Sequence, residues 1–106
     1  MSLVPQHKRG TTWDFSGPLL DAVGEPWDLT GWAVASKLRT PDGELIQAFI
    51  CSVLDAPNGV IRVLAAAADT ADWPIGRALT DVQLTSLDGA VVATPTVAVE
   101  VVINVT

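Results

Sequence analysis

The 106-residue chain has no tyrosine, one histidine and one cysteine, and only six basic residues against twelve acidic ones. Each shortage removes a class of function. Cys51 alone makes no internal disulfide. Cysteine and histidine together offer two ligands where zinc takes four. A Ser-His-Asp system would have to draw its base from His7, close to the chain start. The signatures G-x-x-x-x-G-K, G-x-G-x-x-G, G-x-S-x-G and H-E-x-x-H do not occur. A formal net charge of −6 provides no basic face to displace counterions from nucleic acid, and it disfavours anionic membranes. No apolar run reaches the roughly 18 residues a membrane-spanning helix needs. The start, "MSLVPQHKRG", has no apolar h-region, so a secretory signal is not expected.

What is present is apolar. Apolar residues make up 49% of the chain and charged ones 17%, too greasy a mixture to stay disordered. The length fits one domain. Residues 1–10 read as a mobile N-terminal leader, polar and ending at Gly10, and residues 11–106 as a single domain. Within that domain short apolar stretches alternate with turn signals. "TTWDF", "PLLDAV", "WAVASKLRT", "ELIQAFICSVL", "VIRVLA", "RALTDVQLTS", "AVVAT" and "TVAVEVVINVT" read as strands. "GEP", "PDG", "DAPNG" and "LDG" separate them, with proline presetting φ and glycine permitting positive φ. "AAADTADWP" breaks the pattern. It predicts one short helical turn within residues 66–73, capped by Asp69 or Thr70 and stopped by Pro74.

The period is 2. Val97, Val99, Val101, Ile103 and Val105 share one face of the last strand, opposite Ala98, Glu100, Val102 and Asn104. Seven or eight such strands predict an all-β fold, an immunoglobulin-like antiparallel β-sandwich, with a barrel as the alternative. The fourth stretch does not fit a strand with one wet face. Leu45, Phe49, Cys51 and Val53 line one side, and Ile46, Ala48, Ile50 and Leu54 line the other. Either a bulge switches the register midway, or Ile46, Ala48, Ile50 and Leu54 form an interface covered by another chain. The second option predicts an oligomer. Cys51, among apolar neighbours, reads as a small buried hydrophobe.

The remaining chemistry lies in acids and indoles. Chain reversals at every turn bring Asp28, Asp55, Asn58 and Asp88 to one end of the sandwich, where oxygen ligands suit Ca²⁺. Turn formation explains the same residues without a metal. The four tryptophans can fill a core that has no tyrosine and only two phenylalanines. Trp32 falls in register with Val34, Ser36 and Leu38 and should point inward, and Trp73 is set to plug one end of the core. An exposed aromatic platform for sugars is the competing use. No cofactor is implied. Asn104-Val105-Thr106 is a formal glycosylation sequon at the chain end.

The order of motifs carries a resemblance. "G-E-P-W-D-L-T-G-W" leads into a strand. "D-A-P-N-G-V-I-R-V", "A-A-A-D-T-A-D-W-P-I-G-R", "T-D-V-Q-L", "L-D-G" and a closing "V-x-V-x-V-x-I-x-V-T" follow. Over residues 10–106 this resembles the small immunoglobulin-like domains of tailed-phage and prophage structural proteins, of the baseplate upper protein N-terminal type. The match falls on Asp28, Leu29, Thr30 and Gly31, on Asp69 and Thr70, on Gly76 and Asp81, and on Asp88 and Gly89, with Trp27, Trp32 and Trp73 read as structural residues beside them. These positions are structural. The resemblance implies a non-enzymatic virion component, made in the bacterial cytoplasm, that joins tail or baseplate parts. Its partners would be copies of itself, commonly as trimers, and other tail proteins. A carbohydrate- or calcium-binding module is the alternative.

Overall fold

The computed structural model describes residues 5–105. Among these, nine strands form two facing sheets, with one α-helical turn and one 3-10 turn between strands. The strands are β1 (Gln6–Lys8), β2 (Trp13–Pro18), β3 (Ala33–Arg39), β4 (Leu45–Ala48), β5 (Ile50–Asp55), β6 (Val60–Ala65), β7 (Gly76–Thr85), β8 (Val91–Ala93) and β9 (Val97–Val102). The helical turn α1 is Ala67–Thr70, and the 3-10 turn is Ala56–Asn58. The larger sheet runs β1-β9-β7-β3-β4, with β8 pairing the far half of β7. The smaller runs β2-β6-β5.

The all-β expectation holds, and so does the single helical turn. The strictly antiparallel immunoglobulin-like arrangement does not. β1 pairs β9 in parallel, Gln6 with Glu100 and Lys8 with Val102, so the large sheet is mixed. Residues 6–8 of the expected mobile leader are therefore a sheet strand. Their backbone groups gain partners along β9, and Arg9 N–H donates to Val102 O at 3.0 Å. Residues 1–4 of that leader, and Thr106 of the sequon, lie outside the described residues.

"PLLDAV" is not a strand. Pro18 ends β2, and Asp21 Oδ1 accepts the N–H of Val23 and of Glu25, both at 3.0 Å, folding the segment into a loop. One isolated bridge, Leu20 to Pro26, closes it. The helical turn is not capped as expected either. Its N-cap is Ala66, with no side-chain bond. Thr70 is instead fully buried, and its hydroxyl takes the N–H of Gly10 at 3.0 Å and donates to Thr11 O at 2.7 Å. A hydroxyl far along the sequence thus satisfies backbone groups at the turn between β1 and β2.

The problem posed by the fourth stretch has a third solution. The strand breaks at Phe49 and changes sheets. β4 pairs β3 in the large sheet, Lys37 with Ala48. β5 pairs β6 in the small one, Cys51 with Val63. Phe49 N–H still donates to Ser36 O at 3.0 Å, and its ring is buried between the layers. Apolar residues stand on both sides because the two halves face different neighbours. A register shift is also present between Val53 and Asp55, at the far end of β5.

The core is Leu29, Leu38, Phe49, Ile61, Val63, Ala65, Trp73, Ala78, Leu84 and Val101. Seven of these come from inward-facing positions of β3, β6, β7 and β9, as the period of 2 requires, and Leu29, Phe49 and Trp73 come from the connections between strands. Each fully buried aliphatic or aromatic side chain contributes roughly 1.5–3 kcal/mol relative to exposure. One glycine is fixed by this packing. Gly59 has φ +69, and a Cβ there would lie 2.5 Å from Trp27 O and 2.9 Å from Leu19 O. Gly24 has φ +84 but open space around it. Gly59→Ala is expected to lower the unfolding free energy by about 3 kcal/mol, from the left-handed backbone and the collision together. Gly24→Ala should cost only about 1 kcal/mol. Urea titrations of the two variants check this, and equal losses would contradict it.

Candidate functional site

The indoles are packing elements at opposite ends of the sandwich. Trp73 is 1% exposed, and its Nε1 donates to Gln47 Oε1 at 3.1 Å. It meets Phe49, Trp13 and His7 with ring centroids 6.0, 5.9 and 5.3 Å away. Trp13 stacks on Phe49 at 5.3 Å. Aromatic pairs of this kind add roughly 0.5–1.5 kcal/mol each beyond area burial. Trp13 Nε1 is buried with no hydrogen-bond partner, so this end favours ring packing over polar satisfaction. His7 closes the cluster from β1, its ring 5.2 Å from Trp13 and its Nε2 donating to Thr11 O at 3.1 Å. At the other end Trp27 and Trp32 meet edge to face at 5.7 Å, both half-buried against the core. Trp32 points inward as its register implied. A shallow open depression beside Trp27 is lined by Asp21, Pro26 and Asp28.

The candidate calcium residues do gather at one end. Leu29 N–H donates to Ala56 O at 2.7 Å, which joins the Asp28 loop to the turn holding Asp55 and Asn58. A Cβ on Gly31 would lie 3.5 Å from Leu87, beside Asp88. Each side chain nevertheless serves its own turn. Asp28 Oδ1 accepts the N–H and the hydroxyl of Thr30, at 3.0 and 2.7 Å. The Thr30 hydroxyl bond is the main reason its carboxyl sits below the ordinary value. Asn58 donates to Asp55 at 2.8 Å. Ser86 donates to Asp88, which lowers the Asp88 carboxyl in the same way. No group of three or more His, Cys, Asp or Glu side chains placed to hold a metal ion occurs among the described residues.

The four interface candidates do not share a face. Ile46 is half-buried against the core, and Ala48 is exposed on the large sheet opposite Lys37. Ile50 and Leu54 belong to the small sheet and are 64% and 56% exposed. Ile50 stands opposite Leu64 on the outer side of that sheet, which is opposite Asp14 in turn. At the centre of this surface Arg62 grips Asp14 through two bonds of 3.0 and 2.8 Å. The pair lies 48 positions apart in the chain, and only the β2–β6 register reveals it. The outer side of the large sheet differs. There Asp81 stands opposite Lys37, and an open groove of about 310 Å³ is lined by Lys37, Arg39, Asp81, Gln83 and smaller residues. Gly31 and Gly89 hold positive φ, +81 and +92, in the turns expected for them. Cys51 is half-buried, and burial pushes its thiol up, away from the reactive thiolate. No helix among the described residues is long and apolar enough to cross a membrane.

These features define a class: a two-layer β-sandwich with a mixed large sheet, a parallel first strand, a strand that changes sheets, and turns stabilised by their own acids. Among solved structures, the N-terminal domain of phage TP901-1 ORF48 has this fold. It superposes with a TM-score of 0.66 at 16% sequence identity, over 92% of this chain and 83% of that one. The resemblance to tailed-phage domains carried by the sequence motifs is thereby matched at the level of the fold. No family model and no curated protein matches the chain.

The Arg62–Asp14 pair makes a pH prediction. The hydrogen bond from Arg62 holds the Asp14 carboxyl below its ordinary value. Its contribution to stability is therefore full above the unfolded pKa of roughly 3.9 and is lost as pH falls through the lower folded value. Both side chains are partly exposed, so salt screens the pair. Asp14→Asn should flatten the acid limb of the stability curve at low salt, and molar salt should bring wild type and variant together. Parallel curves at low salt would refute the assignment.

Proposed function

We propose that this chain is a structural domain of a tailed-phage or prophage virion, a tail or baseplate assembly adaptor that works through protein–protein contacts and carries out no catalysis. Its place would be the particle, after synthesis in the bacterial cytoplasm, with copies of itself and other tail proteins as partners. The observation that carries this reading is the outer surface of the small sheet. There Ile50 and Leu54 stand exposed on a rigid support, with Leu64 beside Ile50 and the charges of Arg62 and Asp14 neutralising each other. Apolar side chains presented this way favour a protein partner. The indoles are engaged in the core and the loop acids in their own turns, which leaves the surface contacts as the chemistry on offer. The fold shared with the N-terminal domain of phage TP901-1 ORF48 supports the same reading.

The test is incorporation. The chain is tagged in a producing prophage, and particles are purified after induction. Multiple copies of the chain per particle are expected. The double variant Ile50→Lys with Leu54→Lys should enter particles at least tenfold less well, with its circular dichroism spectrum and Tm unchanged. Particles lacking the wild-type chain would overturn the proposal.

A further inference from the structure

Among the described residues, the most exposed large apolar side chain is Leu87, at 93%. It stands beside Asp88 at the tip of the β7–β8 hairpin. The tip is a closed turn. Ser86 N–H donates to Ala90 O at 2.9 Å, Gly89 N–H to Ser86 O at 3.1 Å, and Ala90 N–H to Ser86 Oγ at 3.0 Å. Ser86 Oγ in turn donates to Asp88, which fixes the carboxylate next to the leucine. The outer side of the large sheet carries a counterpart. Its groove of about 310 Å³ has Ala35, Pro41 and Leu79 in its lining, together with Lys37, Arg39 and Asp81. That is small for a ligand pocket. The charged lining is two cations and one carboxylate, a surplus of one positive charge. Asp42 and Glu44, in the adjoining turn, do not line it. Neither cation is ion-paired among the described residues, where Arg62–Asp14 is the one pair. Arg39 is held in place by donating to Gly43 O at 3.0 Å.

We propose that the Leu87–Asp88 tip of one copy of this chain inserts into the large-sheet groove of a second copy, Leu87 against Leu79 and Pro41, and Asp88 beside Lys37 and Arg39. The inference rests on the assembly reading above, and it names a partner and a contact separate from the small sheet. Both halves of the contact are on this chain, and they match in two independent respects. An apolar side chain surrounded by water meets an apolar part of the groove wall. One carboxylate meets a groove with one surplus cation, so the charges balance at two against two. Within one copy the halves cannot meet. The tip prolongs β7 away from the groove, and the ladder of Gln83–Thr85 with β8 holds it there. Net charge argues the same way. Two copies of charge −6 repel at long range, and the groove is a surface where a carboxylate of the other copy meets attraction. The contact joins unlike surfaces, so each copy keeps a free tip or a free groove after the first contact. Such heterologous contacts close into rings, trimers included, or extend as filaments.

The test is complementation between two variants, read by sedimentation at low salt. Wild type should sediment as more than a monomer, and molar salt should weaken the association at least tenfold. Leu87→Ser with Asp88→Lys removes the tip, and Lys37→Glu with Arg39→Glu removes the groove. Each variant alone should be a monomer with the wild-type circular dichroism spectrum. Mixed, they should form a one-to-one dimer that grows no further, because the first supplies a groove and the second a tip. Misfolding cannot produce that rescue. Leu87→Ser alone, at an exposed tip, should weaken association at least tenfold. Ile50→Lys with Leu54→Lys should leave it unchanged. A wild-type monomer at high concentration, variants that associate as wild type does, folded variants that stay monomeric when mixed, or association lost with the small-sheet variant would overturn the inference. A monomer that still enters particles would defeat this contact and leave the assembly reading intact. An oligomer absent from particles would do the reverse.

Discussion

The structure depends on one buried ring. Phe49 sits where the chain leaves the large sheet and enters the small one. Its N–H still holds Ser36 of β3, while its side chain stacks on Trp13 of the opposite layer and meets Trp73 edge on. A strand that changes sheets must turn its backbone without leaving polar groups orphaned in the interior. Here the last bond to β3 is kept until the first bonds to β6 are available, and the ring fills the volume the turn opens. The two layers are therefore tied by continuous chain as well as by side-chain packing. β3, β4, β5 and β6 form one bent surface.

The other end of the aromatic cluster is closed from outside. Trp13 and Trp73 would border solvent if β1 were absent, and His7 covers both. Three strand residues are too few to hold such a cover by ladder bonds alone. Thr70 supplies what is missing. It anchors Gly10 and Thr11 from a fully buried position, and it costs little there because both of its roles, donor and acceptor, are filled.

Most of the layer structure was legible in the residues. The valine alternation of the closing strand and the turn motifs rest on local geometry. Trp32 pointed inward for the same reason. What was not legible depended on partners distant in sequence. "PLLDAV" has strand composition, but the Asp21 side chain competes for its N–H groups. "QHK" looks like a tail, and becomes a strand only because β9 offers a free edge. The switch at Phe49 left one trace, an apolar run with no polar face, and that trace fits a covered strand as well as a bent one. The site suffered in the same way. Ile46, Ala48, Ile50 and Leu54 share a parity in the sequence, but a parity is a face only while the strand stays in one sheet.

The placement of charge follows from the same division. The twelve carboxylates fall mostly in turns, where an acid can accept its own backbone N–H groups and favour the bend. Asp21 and Asp28 do so through bonds to residues two to four positions ahead. Carboxylates used in this way shape the ends of the sandwich. The outer sides of the two sheets differ in kind. The large one carries alternating charges and a groove, whereas the small one carries one neutralised pair among aliphatic side chains. Turn chemistry, by deciding where the acids go, thus leaves the outer side of the small sheet with one ion pair among exposed aliphatic side chains.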